Sequence, residues 1–177
     1  MSDSTREFLT AIWQAWKLPS VIDADALTLL SQGLELPQAI NVLTPHPGEM
    51  ARLLGISAGE VQSDRFESVK RAATSWNAIV LLKGRHTLTA DTKSVIAVNP
   101  TGNAGMATGG MGDVLSGAMA AFLAQHVNPF LAAVAAVYVH GAAGDHCADA
   151  IGEVGFAASE VADAIPFVRA KLAAWPD

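Results

Sequence analysis

The sequence predicts an α/β fold, with a largely parallel sheet flanked by helices and a small hairpin. Three observations carry that expectation. Short, continuously apolar runs of strand length alternate with segments of helical period. Each run stops at a polar or glycine-containing turn. After Asn99 the chain passes through a glycine-rich stretch into Ala-rich helical segments. A strand buried on both faces needs no polar alternation, so continuous apolar runs between helices point to a parallel, helix-covered sheet.

Residues 8–16 carry apolar side chains at 8, 9, 12, 13 and 16, a helical period. Lys17-Leu18-Pro19 stops that helix, and Ser20-Val21-Ile22 reads as a short buried strand running into Asp23-Ala24-Asp25. A helix opens at 26–30, and the next strand, 41–44, is ended by Pro45-His46-Pro47-Gly48. Residues 49–54 form a short helix with Gly55 as its C-terminal cap. A longer helix at 65–76 precedes the apolar run 78–82. Residues 87–90 and 94–98 alternate around Asp91-Thr92, the pattern of a hairpin. Helices follow at 114–124, 129–143 and 159–174. With no repeat, linker or low-complexity tract, residues 1–177 are read as one domain, whose ligand loops belong at the carboxyl ends of its strands.

Composition narrows the partners. Hydrophobic residues make up 51% and charged residues 16%, which excludes a disordered chain and suggests extensive burial or a homo-oligomer contact. A net charge of −6 leaves no basic footprint for nucleic acid. Residues 114–144 contain no Asp, Glu, Lys or Arg, yet Gln125, His126, Asn128 and Pro129 divide them into pieces too short to span a bilayer, so no membrane partner is expected. The polar opening shows no secretory signal, and the single Cys147 fits a reducing compartment. A cytoplasmic protein is expected.

The strongest chemical signal runs from Asn99 to Gly117, with six glycines between Thr101 and Gly117. It leads into an apolar helix, so Gly110-Met111-Gly112-Asp113 sits at a helix N-terminus, where unpaired N–H groups favour anions. No Lys-Ser or Lys-Thr follows, and Leu115 stands where a dinucleotide fingerprint needs its third glycine. What remains is a non-Walker anion hole edged by a carboxylate. Asp113 is either a helix cap or the base for a substrate hydroxyl; glycine at this density, costly unless backbone must approach a ligand, favours the base. In Thr44-Pro-His-Pro-Gly-Glu, two prolines stiffen a turn from which His46 projects and Glu49 enters a helix; a surface turn is an equal reading. Lys83-Gly-Arg-His-Thr87 follows a strand, where Lys83 could meet a phosphate or simply be solvated. Asp23 and Asp25 also end a strand, with capping and metal or hydroxyl roles both open. His140, His146 and Cys147 lack zinc spacing and read as structural.

Taken in order, VIDADAL (21–27), TPHPGEMARLLG (44–55), LLKGRHT (81–87), NPTGNAGMATGGMGDVLSG (99–117) and HGAAGD (140–145) resemble the ADP- or ATP-dependent NAD(P)H-hydrate dehydratases of the ribokinase-like superfamily, over residues 21–166. The resemblance implies repair of the hydrates of NADH and NADPH (NADHX and NADPHX, the S epimer) by phosphorylation and elimination, with Mg2+ and with ADP or ATP as co-substrate. It implies that Asp113 contacts the hydrate as base and His46 contacts the dinucleotide. It assigns Lys83, Gly84, Arg85, His86 and Thr87 to the nucleotide, Gly110 and Gly112 to the anion hole, and Glu49 to Mg2+ through water. The family's domain begins well before residue 8, with further strands and a substrate-touching glycine segment. The fold is therefore expected to be incomplete at its N-terminus, and an epimerase domain or a missing N-terminal segment is an expected partner. The alternatives are a ribokinase-like kinase of a vitamin precursor or sugar alcohol, and a non-catalytic nucleotide-binding fragment. The long lead-in NPTGNAGMATGG disfavours the kinase.

Overall fold

The computed structural model describes residues 3–174, so Met1 and Ser2 of the polar opening lie outside the described residues. Helix α1 (Asp3–Ala15) precedes strand β1 (Ser20–Ile22), helix α2 (Asp25–Ser31), strand β2 (Asn41–Leu43) and helix α3 (Pro47–Leu54). Helices α4 (Ala58–Ser63) and α5 (Arg65–Trp76) lead to β3 (Ile79–Leu82), β4 (Leu88–Ala90) and β5 (Ile96–Val98). A 3₁₀ turn (Ala104–Met106) then precedes α6 (Met111–Ala124), α7 (Pro129–Ile151) and α8 (Ala158–Ala173).

The sheet order is β1-β2-β3-β4-β5. The first three strands pair in parallel, Val21 beside Val42 and Leu43 beside Val80, and the expected hairpin continues the sheet antiparallel, with Leu81 beside Thr89 and Thr89 beside Ala97. Period two sorts the apolar runs between two helical layers. Leu43, Val80 and Leu82 pack with Leu27, Leu30, Met50, Val61 and Val69 of α2–α5. Val42, Ile79 and Leu81 face the other way, onto Leu115, Met119, Ala132 and Ala136 of α6 and α7. Both faces are covered, which is why all four residues of β3 are buried. A third cluster, including Val139, Ala143, Phe156, Val161 and Val168, fixes α8 against α6 and α7.

Two departures from the sequence reading have an evident physical reason. Helix α7 continues past Ala143 to Ile151, because Gly141 and Gly144 are not terminators; they lie buried inside the helix under another segment. Helix α4 has no counterpart in that reading; Ser57 and Glu60 cap each other's backbone N–H groups and start it despite Gly59. The polar break between the Ala-rich segments is as expected: α6 ends at Ala124, and Asn128 caps α7 by accepting from Phe130 and Leu131 N–H. Among the described residues no helix is long and apolar enough to cross a membrane.

His140 of α7 is buried, and its Nε2 has no hydrogen-bond partner. Burial pushes its imidazolium pKa down to about 4, partly offset by hydrogen bonding to the Met111 backbone. An unfolded His takes a proton near its ordinary value while the folded one does not, so falling pH stabilises the unfolded state. Stability is therefore expected to drop by about 3 kcal/mol between roughly pH 6.5 and 4 on this account. Urea melts of wild type and His140→Gln across that range should show a shallower pH slope in the variant; parallel slopes would contradict the assignment.

Candidate functional site

The carboxyl ends of β1, β2 and β3 meet beside the N-terminus of α6. Thr44 N–H donates to the Ile22 carbonyl at 3.1 Å and Lys83 N–H donates to the Pro45 carbonyl at 2.9 Å, so the three strand ends leave the sheet in register. Asp23, the Pro45–Glu49 turn and Lys83 are thereby brought together. Lys83 Nζ lies 2.8 Å from Asp23 Oδ1 and 3.8 Å from Glu49 Oε2, with all three side chains at least partly buried. Ser116 of α6 donates to Asp23 Oδ2 at 3.4 Å. A Cβ at Gly112 would stand 3.3 Å from Asp23 Oδ2 and 3.7 Å from Lys83 Nζ, so the glycine brings the first turn of α6 against this cluster.

His46 is the N-cap of α3. Its Nδ1 accepts from Gly48 N–H at 3.0 Å, while Glu49 Oε2 accepts from His46 N–H at 2.7 Å, a reciprocal capping box. Accepting at Nδ1 leaves the ring proton on Nε2, which lies 3.6 Å from Glu49 Oε2 in a half-exposed side chain. The even odds between surface turn and site thus resolve partly: the turn is a capping device, and the same device aims Glu49 at Lys83.

Helix α6 starts at Gly110, with φ 86° and no side-chain cap. Asp113 is its third helical residue, exposed, and among the described residues forms no side-chain hydrogen bond or ion pair. The capping reading of Asp113 is therefore corrected: the left-handed backbone at Gly110 makes the helix start, and the carboxylate is not spent on it. Asp23 is corrected likewise. The helix after β1 is capped at Ala24 without any side-chain bond, and Asp23 instead holds Lys83.

The Lys83–Thr87 segment divides. Lys83 turns inward to the cluster. Gly84, Arg85 and His86 stay exposed in a tight turn to β4, where Thr87 Oγ1 donates to the Gly84 carbonyl at 3.0 Å. Gly84 has φ 132°, and a Cβ there would meet the guanidinium of Arg65, which donates to the Leu82 carbonyl at 3.2 Å. Arg65 and Ser116 carry no local sequence signal for the site; only the three-dimensional strand order brings them to this end of the sheet.

The cluster holds two carboxylates against one lysine, a surplus of negative charge beside the N-terminus of α6. Among the described residues no three metal-ligating side chains gather. A protein-only metal cage does not fit. A hydrated Mg2+ that arrives on phosphates and needs one or two carboxylates does fit, since Asp23 and Glu49 supply that number. A larger cleft of about 500 Å³, lined among others by Pro37, Ile40, Trp76 and Asn77, opens at the amino ends of the strands. Lys17 is its one ionisable lining residue, so it offers little for catalysis.

Known proteins resemble this chain in sequence and in fold. The chain is 42% identical over 173 residues to the bifunctional NAD(P)H-hydrate repair enzyme Nnr of Moorella thermoacetica, covering 96% of this chain and 32% of the relative. It is 43% identical over 160 residues to the ADP-dependent (S)-NAD(P)H-hydrate dehydratase of Neisseria meningitidis, covering 87% of this chain and 54% of the relative. The ADP/ATP-dependent NAD(P)H-hydrate dehydratase of Bacillus subtilis, co-crystallised with ATP/Mg2+, superposes with TM-score 0.87 at 32% identity, over 96% of this chain and 60% of that one. This chain thus spans between a third and two thirds of the length of these relatives. A hydroxyethylthiazole kinase from Pyrococcus horikoshii, at 18% identity and TM-score 0.72, shares the fold. The family model for NAD(P)H-hydrate dehydratase matches residues 2–167, and with the ribokinase-like fold and the glycine-led α6 in place, the chain belongs to that family.

Proposed function

We propose that this chain carries the phosphate-binding and proton-transfer part of a nucleotide-dependent dehydration of NAD(P)H hydrate, the S epimer. The observation that supports it most is the pairing of an uncapped α6 N-terminus, with Asp113 unengaged on its first turn, and the Lys83–Asp23–Glu49 cluster at the strand ends.

In this reading the terminal phosphate of ADP or ATP lies against the first-turn amides after Gly110, and Gly112 lets it approach. Lys83 shares its charge between Asp23 and the incoming phosphate. Asp113 accepts the proton of the ring hydroxyl as that oxygen takes the phosphoryl group from the nucleotide. The C–O bond of the resulting ester then breaks with loss of a proton from the adjacent ring carbon. The ring double bond returns, and the hydroxyl oxygen leaves in inorganic phosphate. Phosphate is a far better leaving group than hydroxide, which is what the nucleotide contributes. Mg2+ on the phosphates supplies charge neutralisation when bound. Glu49 is the residue proposed to hold it through water, with Asp23 beside it. His46, presenting Nε2–H, is assigned to the dinucleotide, and Gly84, Arg85, His86 and Thr87 to the rest of the nucleotide.

A homo-oligomer is part of the proposal. Strand β1 is an edge of the sheet, and Phe8, Ile12 and Trp16 of the adjoining α1 region are exposed, as are Leu18 and Ile40. Because the relatives are longer, a further segment of polypeptide is the competing cover for that flank. A cytoplasmic location is proposed from the lone, buried Cys147, which fits a reducing compartment.

Asp113→Asn should lower turnover by ~10²–10⁴ while nucleotide affinity stays within several-fold, because Asn cannot take the proton. Recovery of dihydronicotinamide absorbance measures the first and calorimetry the second; near wild-type turnover would remove Asp113 from the chemistry. Lys83→Ala should weaken ADP or ATP binding by about tenfold or more, the loss of a charge-assisted phosphate contact. Unchanged affinity would mean that Lys83 serves Asp23 alone. Light scattering of the purified chain should give a multiple of the monomer mass, and a strict monomer would count against the oligomer.

A further inference from the structure

The phosphate reading leaves one feature of the glycine-rich segment unexplained: what holds a stretch with so little side-chain mass in one shape. Residues 101–106 lie on α7. Thr101 Oγ1 donates to the Tyr138 carbonyl at 2.9 Å, and Cβ atoms at Gly141 and Gly144 would collide with Thr101 and Met106 respectively. The polar grip comes from Asp145. Its Oδ2 accepts from Gly102 N–H at 2.9 Å and its Oδ1 accepts from the Asn103 side-chain amide at 2.9 Å. Asn103 Oδ1 in turn accepts from Gly105 N–H at 3.0 Å and caps the 3₁₀ turn. Past that turn, Gly109 has open space around it and residues 107–110 are exposed. The Asp145 clasp is therefore the polar anchor of this segment, followed by the packing of Gly105 against Glu153 and Phe156 and of Met106 against Gly144.

We propose that Asp145 is a positioning residue, which fixes the start of the glycine-rich segment through Gly102 and Asn103 and so sets where the α6 N-terminus receives phosphate. The inference rests on the phosphate reading of α6 given above. The polarity of the chain of bonds explains why one of these two side chains is a carboxylate and the other an amide. Backbone N–H donors stand at both ends, at Gly102 and Gly105, so each side chain must accept one of them and only one of the two can also donate to the other. Among the described residues Asp145 has no ion-pair partner, so these donors are what its charge engages. The substitution Asp145→Asn puts two amide groups in opposition wherever the Asn103 side chain turns. The substitution Asn103→Asp sets two carboxylates against each other. Exchanging the two residues, Asp145→Asn with Asn103→Asp, keeps every bond. The amide now at position 145 accepts from Gly102 N–H and donates to the carboxylate now at position 103, which accepts from Gly105 N–H as before.

The test compares the wild-type chain with Asp145→Asn, Asn103→Asp and the exchange variant, by amide hydrogen exchange and by ADP titration calorimetry. Each single variant should lose protection at Gly102 and Gly105 and bind ADP about tenfold or more weakly, as expected when charge-assisted bonds are lost. The exchange variant should recover both protection and affinity to within about threefold, which a mere loss of charge at 145 would not allow. Failure of the exchange to restore protection, or wild-type protection and affinity in both single variants, would overturn the proposal. A clasp that collapses and recovers by hydrogen exchange while no form of the chain binds ADP would uphold the anchoring and refute the phosphate reading, so the two fail separately.

Discussion

Lys83 ties the carboxyl end of the sheet together. Its ammonium sits 2.8 Å from a carboxylate 60 residues away in sequence and 3.8 Å from a second one on α3. Two like charges, Asp23 and Glu49, are tolerated there because a cation stands between them and because His46 N–H and Ser116 share the load. Removing a partner from a half-buried group of this kind leaves charge without compensation. In the function proposed above, the same geometry preorganises Lys83 for a phosphate entering from the α6 side.

The second element is backbone rather than side chain. Gly110 in the left-handed region turns the chain into α6 without a capping side chain, so the first-turn amides keep their hydrogen-bonding capacity. Gly112 then allows the turn to stand against the Asp23–Lys83 pair. Helix α7 supplies the floor beneath this apparatus, with buried glycines where Thr101 and Met106 come close, and Asp145 as the polar anchor. Buried hydrophobic packing of α6 and α7 on β3 fixes both to the sheet, so the helical and strand halves of the site cannot drift apart.

Much of this was legible in the sequence, for identifiable reasons. Short apolar runs at 21–22, 42–43 and 79–82 betrayed strands of a helix-covered sheet, and Pro47 with Gly55 bracketed α3. The glycine density before α6 pointed to an anion hole, since glycine at such density is costly unless the backbone must approach another group closely. What escaped was either weak or long-range. The Ser57–Glu60 capping box was present as a signal for α4 but lay in a short polar stretch with little apolar period. The expected end of α7 at Ala143, just before Gly144, fell short because the packing partner of Gly144 is Met106, some 40 residues away and invisible to local pattern. The role of Asp23 stayed open between capping and a metal or hydroxyl contact, because the lysine that pairs with it follows another strand, 60 residues away in sequence.

The central claim is that nucleotide phosphate is received at the N-terminus of α6, beside Lys83. Amide chemical shifts recorded by NMR during titration with ADP and Mg2+ test it most directly. The largest changes are expected at residues 110–114, at Lys83 and Gly84, and at Asp23. Changes confined to the cleft around Pro37, Ile40, Trp76 and Asn77 at the opposite end of the sheet, with residues 110–114 unmoved, would contradict it.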